Sequence, residues 1–272
     1  MPKYLMYIII GVPAIALGLV LFIYFFQHVM VFHPIKLAPD YKFRFDGKYE
    51  ERFFEVGDGV KLSALNFKVE NPKGVVFYHH GNAGCLESWG YKAKDFNSLG
   101  YDLLVYDYRG FGKSTGKLPT EKQLVADANY IYKQLKKDYS ESQIVLYGIS
   151  LGSGIAAKLA QEHHPNKLIL ETPYYGFYEV AKFHFPYLPA RLLLKYHFKT
   201  HKYLEKVDCP VYAIHGTNDL VVPYSHSQLL KEKFPKIDLF TIEGGSHSDL
   251  NTYPEYQQKL GEILASSSPN QK

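Results

Sequence analysis

Ile144-Val145-Leu146-Tyr147-Gly148-Ile149-Ser150-Leu151-Gly152 is a short apolar run that ends on a serine between two glycines and opens directly into a helical pattern. Successive apolar residues without alternation suit a strand buried on both faces of a sheet. Gly148 and Gly152 bracket Ser150 in the G-x-S-x-G spacing of a nucleophile elbow. There a tight strand-to-helix turn lifts the serine, and close packing leaves no room for Cβ atoms beside it. A Gly-rich helix entrance without chemistry has the same pattern. A phosphate loop in its usual form is excluded, because no Lys follows the second glycine of a G-x-x-x-x-G-K-[ST] sequence.

Outward from this turn the chain alternates short β-rich runs with longer helical patterns, which is the rhythm of an α/β fold. Strands are predicted at 52–56, 62–69, 75–79, 103–107, 144–147, 167–170, 211–214 and 238–242, and helices at 121–137, 151–163, 225–234 and 254–264. The later strands read as continuous apolar runs, as a parallel sheet covered on both sides requires. One insertion, 174–206, interrupts the rhythm with Tyr, Phe, Leu and basic residues. A loop of that length inside a compact domain is commonly a lid or binding element. A surface excursion with its own apolar face is the simpler alternative. Residues 266–272 form a short polar tail.

A serine hydroxyl attacks well only when a base takes its proton, so a His and an orienting carboxylate should follow Ser150 along the chain. Asp219 lies just after the strand expected at 211–214 and His247 just after that at 238–242. In a parallel sheet the C-terminal ends of the strands share one rim, so residues distant in sequence can meet there. His215, His226, Asp208 and Asp249 are nearby competitors. Donors for a developing oxyanion are expected from the amide of Leu151, at the head of a helix, and from the amide of Asn82 in the small-residue loop His79-His80-Gly81-Asn82-Ala83-Gly84. His80 precedes the serine, so it reads as a residue positioning that loop rather than as the base. Metal binding by His79 and His80 is disfavoured, because adjacent residues on a strand point to opposite faces. The stretch from Tyr106 to Ser114, YDYRGFGKS, lacks the spacing of a dinucleotide fingerprint. It reads as a structural turn in which Arg109 bonds carboxylates or carbonyls.

The chain has 272 residues, with 31 Lys+Arg against 27 Asp+Glu and 46% hydrophobic positions, the composition of a folded protein of ordinary charge. The basic residues are dispersed among carboxylates, so nucleic acid is not expected as a partner. Cys85 and Cys209 are too few for a disulfide scaffold or a multi-cysteine zinc site. Residues 4–26 carry no Asp, Glu, Lys or Arg, and a helix of roughly 20 apolar residues spans a bilayer. Tyr4, Tyr7 and Tyr24 lie near its ends, where amphipathic rings favour headgroups. A single-pass anchor at 1–32 is therefore expected, followed by a linker at 33–48 and a folded unit at 49–272. A cleaved signal with Ala14-Ile15-Ala16 at its site is the alternative, but it would leave 17–26 as an apolar tail in water. Counting cations near the run favours a cytoplasmic folded unit, whereas a lone N-terminal anchor commonly exports the domain C-terminal to it. Sidedness stays open.

Together His80-Gly81-Asn82-Ala83-Gly84, Asp107 to Ser114 (DYRGFGKS), Gly148-Ile149-Ser150-Leu151-Gly152, Gly216-Thr217-Asn218-Asp219 and Gly245-Ser246-His247 resemble the α/β-hydrolase superfamily from about residue 48 to the C-terminus. Within it the chain looks like the bud-emergence (Bem-type) group of membrane-anchored α/β-hydrolase-domain proteins. The resemblance implies an eight-stranded, mostly parallel sheet flanked by helices, with a helical cap. It also implies serine-hydrolase activity with Ser150, Asp219 and His247 as triad, and Asn82 and Leu151 as oxyanion donors. No cofactor is expected. Some relatives in the group remove fatty acyl groups from protein cysteines, and no thioester-specific residue maps onto this sequence.

Phe183, Phe185, Tyr187, Leu192, Leu193 and Tyr196, beside Arg191 and Lys195, suggest an acyl pocket close to the bilayer for an ester or lipid substrate. Plain lid packing accounts for the same residues. An amidase or peptidase would use the same triad, and a binding protein could keep the fold without turnover.

Overall fold

The computed structural model describes residues 3–266; Met1, Pro2 and most of the polar tail expected at 266–272 lie outside the described residues. Eight strands form one sheet: β1 (Lys48–Val56), β2 (Val60–Lys68), β3 (Val75–His79), β4 (Asp102–Tyr106), β5 (Ile144–Ile149), β6 (Lys167–Glu171), β7 (Val211–Gly216) and β8 (Asp238–Ile242). Their spatial order is β8-β7-β6-β5-β3-β4-β2-β1. Strand β2 is antiparallel to both β1 and β4, and the remaining pairs are parallel. This is the α/β-hydrolase fold.

The central strands are buried on both faces, which is why their sequences read as unbroken apolar runs. Val75 and Phe77 of β3, with Ile144 and Leu146 of β5, enter one core, while Val76, Tyr78, Val145 and Tyr147 enter the other. The first core is closed by helices α2 (Glu121–Leu135) and α3 (Leu151–Glu162), through Leu124, Ala128, Ile131, Ile155 and Leu159. The second is closed by a C-terminal helix (Pro254–Ala265), through Tyr256, Leu260 and Ile263. Helix α2 starts on a capping box, in which Gln123 N–H donates to Thr120 Oγ1 at 3.3 Å and Thr120 N–H donates to Gln123 Oε1 at 3.0 Å.

Strand β1 begins at Lys48, earlier than its apolar pattern suggests. It is an edge strand, and Lys48, Glu50 and Phe53 are exposed, so its first half carries little hydrophobic signal. The insertion between β6 and β7 folds into α4 (Phe177–His184), α5 (Ala190–Leu193) and a short turn (Thr200–Tyr203).

The first helix, α1, covers Lys3–Val31 with Pro13 inside it. Its Ile9–Val31 stretch, 23 residues, is long and apolar enough to cross a membrane by length and composition. The segment expected as a linker, 33–48, is packed rather than free: His33–Pro34 pairs with Ala83–Gly84, and Phe43 and Phe45 lie against the second core.

The loop after β4 is a structural turn, as the sequence suggests. Arg109, 5% exposed, grips Asp127 of α2 with two hydrogen bonds, Nε to Oδ2 at 2.7 Å and Nη2 to Oδ1 at 2.8 Å. It also reaches Asp58 Oδ2 at 3.0 Å and the Gly57 carbonyl at 3.2 Å, which ties the β1–β2 turn to α2. Arg109→Ala leaves the Asp127 carboxylate buried and unpaired, and should cost about 3–5 kcal/mol in a denaturant titration of the detergent-solubilised chain. A loss within experimental error of zero would show the pair to be idle.

Asp107, fully buried, accepts from Leu86 N–H at 3.0 Å through Oδ1, while Oδ2 has no partner. Burial pushes its carboxyl up to about 8, against smaller opposing pulls from the Leu86 amide and Lys36. An unfolded Asp titrates near ~3.9, so between the two values the folded chain keeps a proton that the unfolded chain has lost, and stability falls as pH rises. The shape-matched Asp107→Asn cannot ionise. Its advantage in thermal midpoint over the unsubstituted chain should be larger at about pH 8 than at about pH 5; equal differences at the two values would contradict the assignment.

Candidate active site

Ser150 sits between β5 and α3 with φ 50° and ψ −117°, a backbone conformation that L residues rarely adopt. Its amide donates to the Glu171 carbonyl of β6 at 3.0 Å, which fixes the turn to the sheet. The bracketing glycines are explained by close approach. A Cβ on Gly152 would lie 2.0 Å from the His79 carbonyl oxygen, and one on Gly148 would lie 2.3 Å from the Gly152 carbonyl oxygen. Helix α3 can therefore press against the ends of β3 and β5 only without side chains at these positions. The result is a serine hydroxyl held at the sheet rim, with a helix N-terminus behind it.

The two side chains expected from later loops lie beside it. His247 Nε2 is 3.0 Å from Ser150 Oγ, and His247 Nδ1 is 2.7 Å from Asp219 Oδ2. Asp219 is 4% exposed and well partnered. Its Oδ1 accepts the amides of Val221 and Val222, each at 2.8 Å, and its Oδ2 also faces His215 Nε2 at 3.1 Å. Burial alone would raise the pKa of this carboxyl. The hydrogen bonds from His215, His247 and the Val222 amide outweigh burial and hold it well below the usual carboxylate range. The acid and His loops are joined by Asn218 N–H donating to the Gly245 carbonyl at 2.9 Å. Gly216 is needed there, because a Cβ on it would lie 2.2 Å from the Gly245 carbonyl oxygen.

The loop bearing Asn82 passes the same serine: a Cβ on Gly81 would lie 4.0 Å from Ser150 Cβ. Among the described loops and turns, neither the Asn82 nor the Leu151 amide donates to a backbone carbonyl. His80 is fully buried, with Nδ1 2.6 Å from the Gly81 carbonyl and its ring stacked on Trp89. His79 turns the other way, to the Tyr106 hydroxyl at 3.2 Å. Burial first, and then for His79 the neighbouring His80, pushes both imidazoles down to about 3, so they are neutral. Among the described residues, no three His, Cys, Asp or Glu side chains gather as metal ligands would.

The competitors have other tasks. His226 Nδ1 accepts the Tyr175 amide at 3.1 Å and its pKa is pushed down to about 4, by burial and then by His215. Asp249 accepts the Ser246 amide at 2.7 Å, and Asp208 faces His164 at the surface. His215 is the residue that sequence reasoning undervalued. Its Nε2 also faces the Val222 carbonyl at 2.9 Å, so this nitrogen carries a proton, and its Nδ1 lies 2.6 Å from Ser227 Oγ. The signal was its position on β7, four residues before Asp219.

The apolar side chains expected to line a pocket divide into exposed and buried ones. Tyr187 is 99% exposed and Leu192 80%, and Phe183 and Phe185 are also exposed. Leu193 and Tyr196 are buried, but the Leu193 carbonyl accepts from Gln27 of α1, and Tyr196 packs on Phe32 and donates to the Pro119 carbonyl at 2.9 Å.

A family model described as serine aminopeptidase, S33, matches residues 70–200, which include Ser150 but end before Asp219 and His247. An uncharacterized protein of Mycobacterium tuberculosis is 30% identical over 223 residues, covering 80% of this chain and 79% of that one. Alpha/beta hydrolase domain-containing protein 17C of Mus musculus is 32% identical over 202 residues, 72% of this chain and 61% of its own length. Lysophosphatidylserine lipase ABHD12 of Danio rerio is 32% identical over 180 residues, 58% of this chain and 46% of its own. The chain thus spans less than two thirds of the length of these last two relatives. The solved Pyrococcus furiosus esterase Pf2001 superposes with a TM-score of 0.69 at 21% identity, covering 86% of this chain and 97% of that one, a likeness of fold. With the sheet order, the elbow and these relatives in hand, the chain belongs to the α/β-hydrolase family.

Proposed function

We propose that the protein is a membrane-anchored serine hydrolase that cleaves acyl esters, with Ser150 as nucleophile, His247 as general base and Asp219 as its orienting carboxylate. The observation that carries this reading is the unbroken line from Ser150 Oγ to His247 Nε2 at 3.0 Å and from His247 Nδ1 to Asp219 Oδ2 at 2.7 Å, on a serine held in an elbow conformation. Each distance is within hydrogen-bond reach, as proton transfer requires. An esterase among the structural neighbours and a lysophosphatidylserine lipase among the relatives support an ester or lipid substrate.

In the first half-reaction Ser150 Oγ bonds to the acyl carbon as its proton passes to His247 Nε2, and the carbonyl electron pair moves onto oxygen. The amides of Leu151 and Asn82 donate to that oxyanion, each worth roughly 2.7–4 kcal/mol by comparison with a measured donor. Collapse breaks the bond to the leaving oxygen, which takes the proton from His247 Nε2. Water then repeats the sequence on the acyl-serine and releases the acid. Asp219 remains an anion throughout, since its hydrogen bonds hold its pKa low, and it stabilises the imidazolium that forms.

We assign residues 1–32 to the anchor, and 49–272 to the hydrolase unit with its cap at 174–206. The length and apolar character of α1 support a single membrane pass. The family model's description favours a second reading, an amide-cleaving aminopeptidase with the same three side chains.

Ser150→Ala should lower turnover of short p-nitrophenyl esters by a factor on the order of 10³ or more with an unchanged melting midpoint. Undiminished turnover would remove the mechanism. Preference for aminoacyl anilides over esters at equal concentration would move the assignment to the second reading. After washing at high pH, the full chain should stay with the membrane pellet, and release into the supernatant would dismiss the anchor.

A further inference from the structure

The chain leaves α1 and immediately runs beside the loop that carries Asn82. Asn82 Nδ2 donates to the Val31 carbonyl, the last residue of α1, at 2.8 Å. Two residues on, His33 N–H donates to the Asn82 carbonyl at 2.8 Å, and Ile35 N–H donates to the Gly84 carbonyl at 3.0 Å. The opposite edge of this strap is clipped to the loop after β4, where Gly112 N–H donates to the Ile35 carbonyl at 2.8 Å and Leu37 N–H to the Gly112 carbonyl at 3.1 Å. Between the two lies Phe32, 2% exposed, edge-on to Phe111 at 6.1 Å and to Tyr196 at 5.3 Å.

These contacts converge on one residue. The side chain and the carbonyl of Asn82 are both held by the strap, while the peptide plane before it is held by His80 Nδ1 on the Gly81 carbonyl. In a trans peptide the N–H points opposite to that carbonyl. With both sides of the plane pinned, the Asn82 amide has a single direction. We propose that the strap at 31–37 is a positioning element for the oxyanion-side amide. The exit of the apolar helix and the catalytic centre then form one mechanical unit rather than an anchor on a flexible tether. This rests on the serine-hydrolase reading and extends it. Only the backbone of Asn82 meets the substrate oxygen; its side chain and Phe32 act through it.

The test uses the full-length chain in detergent micelles, with p-nitrophenyl acetate as substrate. Asn82→Ala keeps the amide and removes the tie to Val31, and Phe32→Ala removes the wedge. Each should lower kcat about tenfold or more with KM within about twofold, because a misaimed donor is lost only in the transition state. Phe32→Leu, which refills the wedge, should restore kcat. A purely structural strap would lower the melting midpoint and leave kcat well below that midpoint unchanged; that result for Asn82→Ala overturns the proposal, and it decides the matter even where Phe32→Ala fails to fold. Reaction of Ser150 with a fluorophosphonate in the unsubstituted chain separates the two levels. Absence of labelling and turnover there defeats the hydrolase reading itself, whereas normal labelling with undiminished kcat in both variants defeats the strap alone.

Discussion

The structure depends on one close approach, that of the first turn of α3 to the end of β3. The Gly152 Cα sits where any Cβ would strike the His79 carbonyl, and this contact holds Ser150 in a strained conformation with its hydroxyl toward His247. Strain of this kind costs on the order of 1–3 kcal/mol and persists only where the surroundings over-determine it. Here they do, through the Ser150 amide on Glu171 and the buried strands on either side. Release the approach and the serine relaxes into an ordinary helix start.

The rim of the sheet is stiffened from below by buried polar groups that take no part in the proposed reaction. Glu171, which anchors the Ser150 amide through its carbonyl, has its carboxylate bonded by the hydroxyls of Tyr147 and Tyr256, and these hydroxyls lie 2.9 Å from one another. Tyr78 stacks on Tyr147 at 5.0 Å. One network thus ties β3, β5, β6 and the C-terminal helix beneath the elbow. Buried polar groups that find partners rigidify a site, while unpaired ones cost heavily. His215 plays the corresponding part on the acid side, where it shares Asp219 with His247.

Much of this was legible before any coordinates. Strands buried on both faces announce themselves as apolar runs, so β3 to β8 could be placed closely, and the G-x-S-x-G turn marked the link from β5 to α3. The beginning of β1 was not legible, because an exposed edge strand alternates polar residues that look like loop. The cap is ambiguous in sequence for a related reason. Its aromatic residues are apolar whether they line a cavity or face outward, and Tyr187 and Leu192 face outward. Nor does a sequence reveal that a segment rich in Pro and charge runs beside the loop of Asn82, since the pairing is between backbone groups.

Local chemistry alone therefore specified the kinds of element and the side chains able to carry a reaction, because propensity, periodicity and tight-turn glycines act over a few residues. Which of several histidines meets which carboxylate, and what braces the loop opposite the serine, was decided by the packing of strands far apart in the chain. Those pairings arise only when the sheet brings distant loops to a common edge, and hydrogen-bond geometry then selects among residues of the same type.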